Sequence, residues 1–229
     1  MSCAYRVFVL TVLMLLTACA TCANLFAIFR KPQLTVAGVT TRDSYYYWYS
    51  ELSAVGPIET NTRRIYSRDF ECEAEKNYFI ASAALAVGGA GLGGLACVFM
   101  ACWVSAGRRV ALGVVSLLLT FFAFACCVVV VSLTSYLFVN AQCKDGAADK
   151  KTFEQQDYML VEGFILMAVA AGGFLIMLFV QLIGLCCMCC CNGDNYDDVS
   201  RGFSSHSSKS SSRSGSFSRN TSRGGSYRH

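Results

Sequence analysis

Of 229 residues, 55% are apolar and only 15% are charged, with a formal net charge of +4, too few charges to keep a domain of this size in water. The 14 cysteines lie mostly in apolar runs or in one dense cluster, which excludes the evenly spaced disulfide framework of a small secreted domain. The histidines, His206 and His229, fall in a Ser/Arg-rich tail; with the usual general base and the commonest zinc ligand missing from any folded part, hydrolase and zinc-enzyme readings lose their ground.

An apolar run of about 18 residues or more can cross hydrocarbon as a helix, because a helix satisfies its own backbone hydrogen bonds without water. Such runs occupy 7–29, 78–104, 110–139 and 158–190 and predict an all-α membrane fold, a four-transmembrane-helix bundle over 1–191. Arg6, Arg30, Lys31, Lys76, Arg108, Arg109, Lys150 and Lys151 flank the runs, where charges can reach water. The first run also resembles a signal peptide, with Ala18-Cys19-Ala20 as a small-residue cleavage site, and Leu16-Thr17-Ala18-Cys19 resembles a bacterial lipobox. Its apolar character continues through Phe29, past the ~7–15 residues of a signal core, which favours a retained helix.

The loop 30–77 follows. Its stretches 34–40 and 44–49 are rich in β-branched and aromatic residues, with turn signals at Gly38 and Gly56-Pro57, so a small antiparallel sheet is expected there. A sheet of that size has little core of its own and must rest on helix ends or be pinned covalently. Tyr45, Tyr46, Tyr47, Trp48 and Tyr49 are expected as its contact segment, since exposed loop aromatics mark an interface or a membrane-surface belt.

The second run carries Gly89, Gly93 and Gly94, small residues that let helices approach closely in lipid, and the fourth has a matching patch around Gly172 and Gly173. Packing within one bundle, a homo-oligomer interface and a pore-lining helix all use such patches. Glu162, the one charge inside a run, is a candidate ion site or simply an interfacial acid, and neither Asn24 nor Gln181 is placed to join it in a relay. Cys72 and Cys143 are expected at neighbouring helix ends, where they form a disulfide, stay as thiols or pair between chains.

Beyond the fourth run, Cys186, Cys187, Cys189, Cys190 and Cys191 stand at the membrane edge as candidate acylation sites. Their C-x-x-C spacing also suits thiol redox or metal chemistry, although no second pair or histidine lies nearby. The tail 192–229 is expected to be disordered. Ser204, Ser212, Ser216, Ser222 and Ser226 each follow a basic residue by three positions, a spacing that suits phosphorylation and an electrostatic membrane switch.

An even number of spans puts both termini on one side. Arg108, Arg109 and the basic tail favour the cytoplasmic side, which leaves 30–77 and 140–157 extracellular and places the chain as an integral protein, expected in the plasma membrane. This layout resembles the claudin-like four-span membrane proteins, and within them the trypanosomatid amastin surface proteins. The resemblance rests on Phe29-Arg30 closing the first run, Trp48, Cys72 before an alanine-rich second run, and Gly163-Phe164 in a fourth run that ends in cysteines. The cysteine–tryptophan signatures of those families are not present.

The resemblance implies a non-enzymatic surface protein acting in adhesion, self-association or membrane organisation through its first extracellular loop. Its expected partners are the lipid bilayer and either further copies or other membrane proteins, with no cofactor, metal, nucleic acid or small-molecule substrate. A small oligomeric channel or transporter is the alternative, and a membrane thiol oxidoreductase a further one.

Overall fold

Backbone that cannot reach water must pair with itself, and the four apolar runs do so as helices: α1, Cys3–Ala23; α2, Glu73–Ala106; α3, Val110–Val139; and α4, Glu162–Cys191. The computed structural model describes residues 3–36, 38–56, 60–106, 110–140 and 152–191. All four helices are long and apolar enough to cross a membrane. At about 1.5 Å per residue, the 21 residues of α1 span roughly 30 Å, the thickness of a hydrocarbon core. The described residues up to Cys190 form one unit.

The helices are apolar all round, so hydropathy does not mark their inner faces; burial does. In α3 the buried residues are Gly113, Ser116, Thr120, Ala123, Cys127, Val130, Thr134 and Leu137. Their spacing alternates between three and four, the seam of helices that pack knobs into holes, and α1, α2 and α4 bury seams of the same period. Tyr5 donates to the Val180 carbonyl at 2.6 Å and Gln181 to Thr120 at 3.5 Å, tying α4 to α1 and α3.

Small residues make the close approaches. A side chain at Gly89 would meet Cys126 and Cys127 at 3.3 Å, and one at Gly93 would meet Thr17 at 2.8 Å and Phe174 at 3.2 Å. Gly94 departs from the expected packing set: a Cβ added there would meet no neighbouring element within 4 Å, because the seam runs Gly89, Gly93, Ala96 and turns its neighbour outward. Arg6, expected among the membrane-edge charges, is buried; its guanidinium lies 4.7 Å above the Trp103 ring and donates to the Trp103 carbonyl at 3.2 Å.

Three of the shifts from the predicted span limits have a reason in hydrogen bonding or charge. Helix α1 stops at Ala23 rather than 29, since Ile28 donates to Tyr45 O at 2.8 Å and Phe29–Arg30 becomes strand β1. Helix α4 starts at Glu162 rather than 158, because Met159–Leu160 pairs with β1 as the short edge strand β6, numbered last in chain order. Helix α2 starts five residues before the predicted run, at Glu73, where Glu73 and Glu75 in the first turn suit the positive end of the helix dipole.

The sheet is larger than the loop alone predicts. After β1 come β2, Leu34–Val36; β3, Val39–Tyr45; β4, Tyr49–Val55; and β5, Thr60–Tyr66. The order is β5-β4-β3-β1-β6, with β2 beside β1 along β3 and every pairing antiparallel. Gly38, at φ +80°, makes the β2–β3 turn that Val36 and Val39 close. The predicted strand at 44–49 is instead the end of β3 and a corner: Tyr46 donates to Tyr49 O, and β4 begins at Tyr49.

Seven rings join this sheet to one end of the helices. Phe29 stacks on Phe153 at 4.8 Å and on Phe138 of α3 at 5.9 Å. Tyr45 meets Phe153, Tyr158 and Phe79 at 5.1, 5.5 and 5.9 Å, and Phe70 packs edge-on to Phe79 at 5.3 Å. All but the Phe70–Phe79 contact join elements distant in sequence, and such pairs stabilise by about 0.5–1.5 kcal/mol beyond their buried area.

Candidate functional site on the sheet

Side chains of directly paired strand residues point to one face, and successive pairs alternate. The registers Phe29–Tyr45, Asp43–Leu52–Arg63, Tyr45–Ser50–Ile65, Leu34–Thr41 and Val36–Val39 therefore place all of these residues on a common face. One part of that face, at Phe29 and Tyr45, is packed into the aromatic cluster. The remainder overhangs: Leu34, Val36, Val39, Leu52 and Ile65 are exposed, and none belongs to an apolar helix. The opposite face carries Thr35, Arg42, Glu51, Ser53 and Arg64, mostly polar, with exposed Val55 and Tyr66 among them.

The segment before α4 closes the overhang into a groove of about 840 Å³. Leu34, Thr41, Asp43 and Leu52 line it from β2, β3 and β4, Lys31 from the segment after β1, and Glu154, Asp157, Tyr158 and Met159 from the segment before α4. Asp157 adopts a left-handed φ of 64° that ends the turn Glu154–Gln156 and delivers Tyr158 beneath the sheet. The Tyr158 hydroxyl donates to the Asp43 carboxylate, and the Lys31 ammonium lies 5.7 Å over the same ring. Burial first, then the hydrogen bond to Asp43, raises the Tyr158 pKa above the ordinary tyrosine value, and burial does the same for Tyr45 and Tyr47. Asp43, Glu154 and Asp157 against Lys31 make the groove acidic as well as partly apolar.

The expected aromatic segment divides. Tyr47 is fully buried beside Thr134, and Tyr45 is part of the ring cluster, so neither is the exposed contact residue the sequence suggested. Tyr46 and Tyr49 are half-buried and stack at 4.6 Å. Trp48 alone of the five is exposed, at 45%, and with Tyr46 and Tyr49 it borders a cavity of about 580 Å³ against Thr21, Asn24 and Leu25 of the α1 end and Val87, Ala90 and Gly91 of α2. The corner buries Tyr47 because Ser67 ties it down, its Oγ donating to Tyr47 O at 3.0 Å and its N–H to Trp48 O at 2.9 Å.

Glu162 is the first residue of α4, not one turn inside a span, and its carboxylate accepts from Arg30 at 3.2 Å with the acid side chain about half exposed. This is the geometry of an interfacial acid, the second of the two readings of Glu162. Cys72 immediately precedes α2, whereas Cys143 lies outside the described residues. Cys186 and Cys187 are exposed on the last turns of α4, and Cys189, Cys190 and Cys191 continue that helix. Ser204, Ser212, Ser216, Ser222 and Ser226 lie outside the described residues.

Sequence reasoning missed Leu34 and Leu52 as surface residues, and Phe153 and Tyr158 as supports. Period-two alternation from Leu34 to Val36 hints at the first. Nothing local marks the second pair, whose partners Phe29 and Asp43 lie more than a hundred residues away. No protein-family model matches this chain, and no curated protein matches it in sequence; the sheet, its groove and the four apolar helices are the ground on which its function is read.

Proposed function

We propose that this is a non-enzymatic surface membrane protein that binds other proteins or further copies of itself through the sheet, in adhesion, self-association or membrane organisation. The observation that carries the reading is the overhanging apolar half-face of Leu34, Val36, Val39, Leu52 and Ile65. Exposed apolar side chains clustered outside the membrane-crossing helices mark an interaction surface. On this reading the sheet is extracellular, both termini are cytoplasmic, and the membrane is the plasma membrane. A Cys72–Cys143 bridge pins the second loop to the start of α2, acyl chains on the cysteines from Cys186 to Cys191 hold the tail to the inner leaflet, and phosphorylation of its serines releases it. The four-span layout supports a kinship with claudin-like and amastin-like proteins as part of the same proposal.

The test is the triple substitution Leu34→Thr, Val36→Thr and Leu52→Thr in the full-length protein at the cell surface. Threonine keeps the strand preference while removing apolar surface. Association, read by proximity crosslinking and cell aggregation, should fall with surface expression unchanged. Undiminished association in the triple variant would refute the proposal.

A further inference from the structure

The sheet has a second unpartnered feature, its edge. Strand β5 is terminal in the sheet order, and all seven of its residues, Thr60–Tyr66, are exposed. Its register to β4 is unbroken from Tyr49–Tyr66 to Val55–Thr60, and it contains neither proline nor bulge. Among the described residues no strand pairs with its other side. Such an edge presents a row of main-chain donors and acceptors to any extended chain, and proteins ordinarily blunt it by shortening, kinking or charging it. Only charge is used here, at Arg63 and Arg64.

The two arginines are not equivalent. Arg64 donates to Glu51 on the neighbouring strand at 2.8 Å and lies 5.3 Å over the Tyr49 ring, so its charge is already answered. Arg63 stands opposite Leu52, at the rim of the overhanging face, and has no ion pair among the described residues. Antiparallel pairing of β5 with its own copy over its full length sets Arg63 against Arg63, and a slip of two residues toward Tyr66, the smallest step that keeps side chains on their own faces, sets Arg64 against Arg64. Like charges directly opposite on paired strands are destabilising, so the edge disfavours a second copy.

We infer that the β5 edge takes up an extended segment of a different protein as an added strand, with an acidic residue opposite Arg63 and β-branched residues beside it. Main-chain hydrogen bonds supply the affinity and Arg63 the selection. This inference rests on the sheet's being a binding surface and names the class of partner for one edge of it.

The experiment uses the full-length protein in nanodiscs and fluorescent peptides as long as β5, built of valine and threonine with a central glutamate. Control peptides carry lysine at the centre or N-methyl groups on alternate backbone nitrogens. The glutamate peptide should bind, the lysine peptide more weakly, and the N-methylated peptide not at all. Arg63→Glu should weaken the glutamate peptide by roughly threefold or more and invert the preference between glutamate and lysine. Binding that survives N-methylation, or a preference unmoved by Arg63→Glu, overturns the inference. So does tighter binding to phosphatidylserine vesicles that is lost with Arg63→Glu, which would make lipid headgroups the ligand. If no peptide binds while the Leu34, Val36 and Leu52 substitutions still abolish association, the edge assignment fails and the binding-surface reading stands; if neither responds, both fail.

Discussion

Phe29 is the most direct test of how the sheet is held. Its ring is fully buried and stacks on Phe153 at 4.8 Å and Phe138 at 5.9 Å, so one side chain joins β1 to α3 and to the segment before α4. Phe29→Ala removes the apolar contact and leaves a cavity, at a cost of about 3–5 kcal/mol. Phe29→Leu keeps most of the burial and loses two ring pairs, at a cost of about 1–3 kcal/mol. The loss should fall on the sheet, because the helix seams pack without Phe29 and local opening draws on the least supported part of a structure. Amide hydrogen exchange of β3 and β4 in detergent micelles reads that opening, and about 4 kcal/mol corresponds to roughly a thousandfold faster exchange. Tyr46→Ala is the comparison: Tyr46 is half-buried and among the described residues its ring pairs with Tyr49 alone, so its cost should stay near 1 kcal/mol. If Phe29→Ala exchanges no faster than Tyr46→Ala, the ring cluster does not hold the sheet. If α2 and α3 amides accelerate equally, sheet and helices open as one unit and the reasoning is also wrong.

Other consequences can be measured in the same preparations. Gly163→Ala should destabilise by about 1–3 kcal/mol, since a Cβ there would sit 2.7 Å from the Ala27 and Phe26 carbonyl oxygens, which are backbone and cannot step aside; Gly94→Ala, with open space around it, should be neutral or slightly stabilising by thermal denaturation. Arg30→Ala should cost no more than about 1 kcal/mol, an effect that vanishes in high salt, because its Glu162 partner is half exposed; a large, salt-independent loss would mean a buried role for the pair. Tyr158 and Tyr45 hold their protons more tightly folded than unfolded, so their contribution is complete below the ordinary tyrosine pKa near 10.0 and declines as pH rises above it. The sheet should therefore loosen in alkali, seen as tyrosinate absorbance with faster exchange in β3, and Tyr45→Phe with Tyr158→Phe should blunt the transition; an unchanged alkaline midpoint would contradict this.

Two neighbouring elements show where one-dimensional reading stops. Val110–Val139 was legible to the residue, because it is bounded by Arg109 and Asn140 and, among the described residues, no strand pairs with its backbone. At 24–29 the composition is equally apolar, yet Phe29 pairs with Leu160 and Tyr45, and a strand takes what looked like the last turns of a helix. The contact segment divided for a similar reason. Tyr47 and Trp48 are adjacent and both aromatic, but the Ser67 bonds turn one into the protein and the other out.

By itself the sequence determined four helices long and apolar enough to cross a membrane, because the required length of apolar residues is visible in the chain and lipid accepts backbone only in self-paired form. It also determined a β-rich first loop and a cysteine cluster at the end of the last helix. Tertiary structure decided which helix faces are inward, since residues apolar on every side carry no pointer beyond small ones such as Gly89 and Gly93. It also decided that residues on both sides of the helices share one sheet and that half of that sheet's apolar face is left uncovered. Those outcomes depend on partners as far apart as Asp43 and Tyr158, and a local pattern holds no record of a partner that distant.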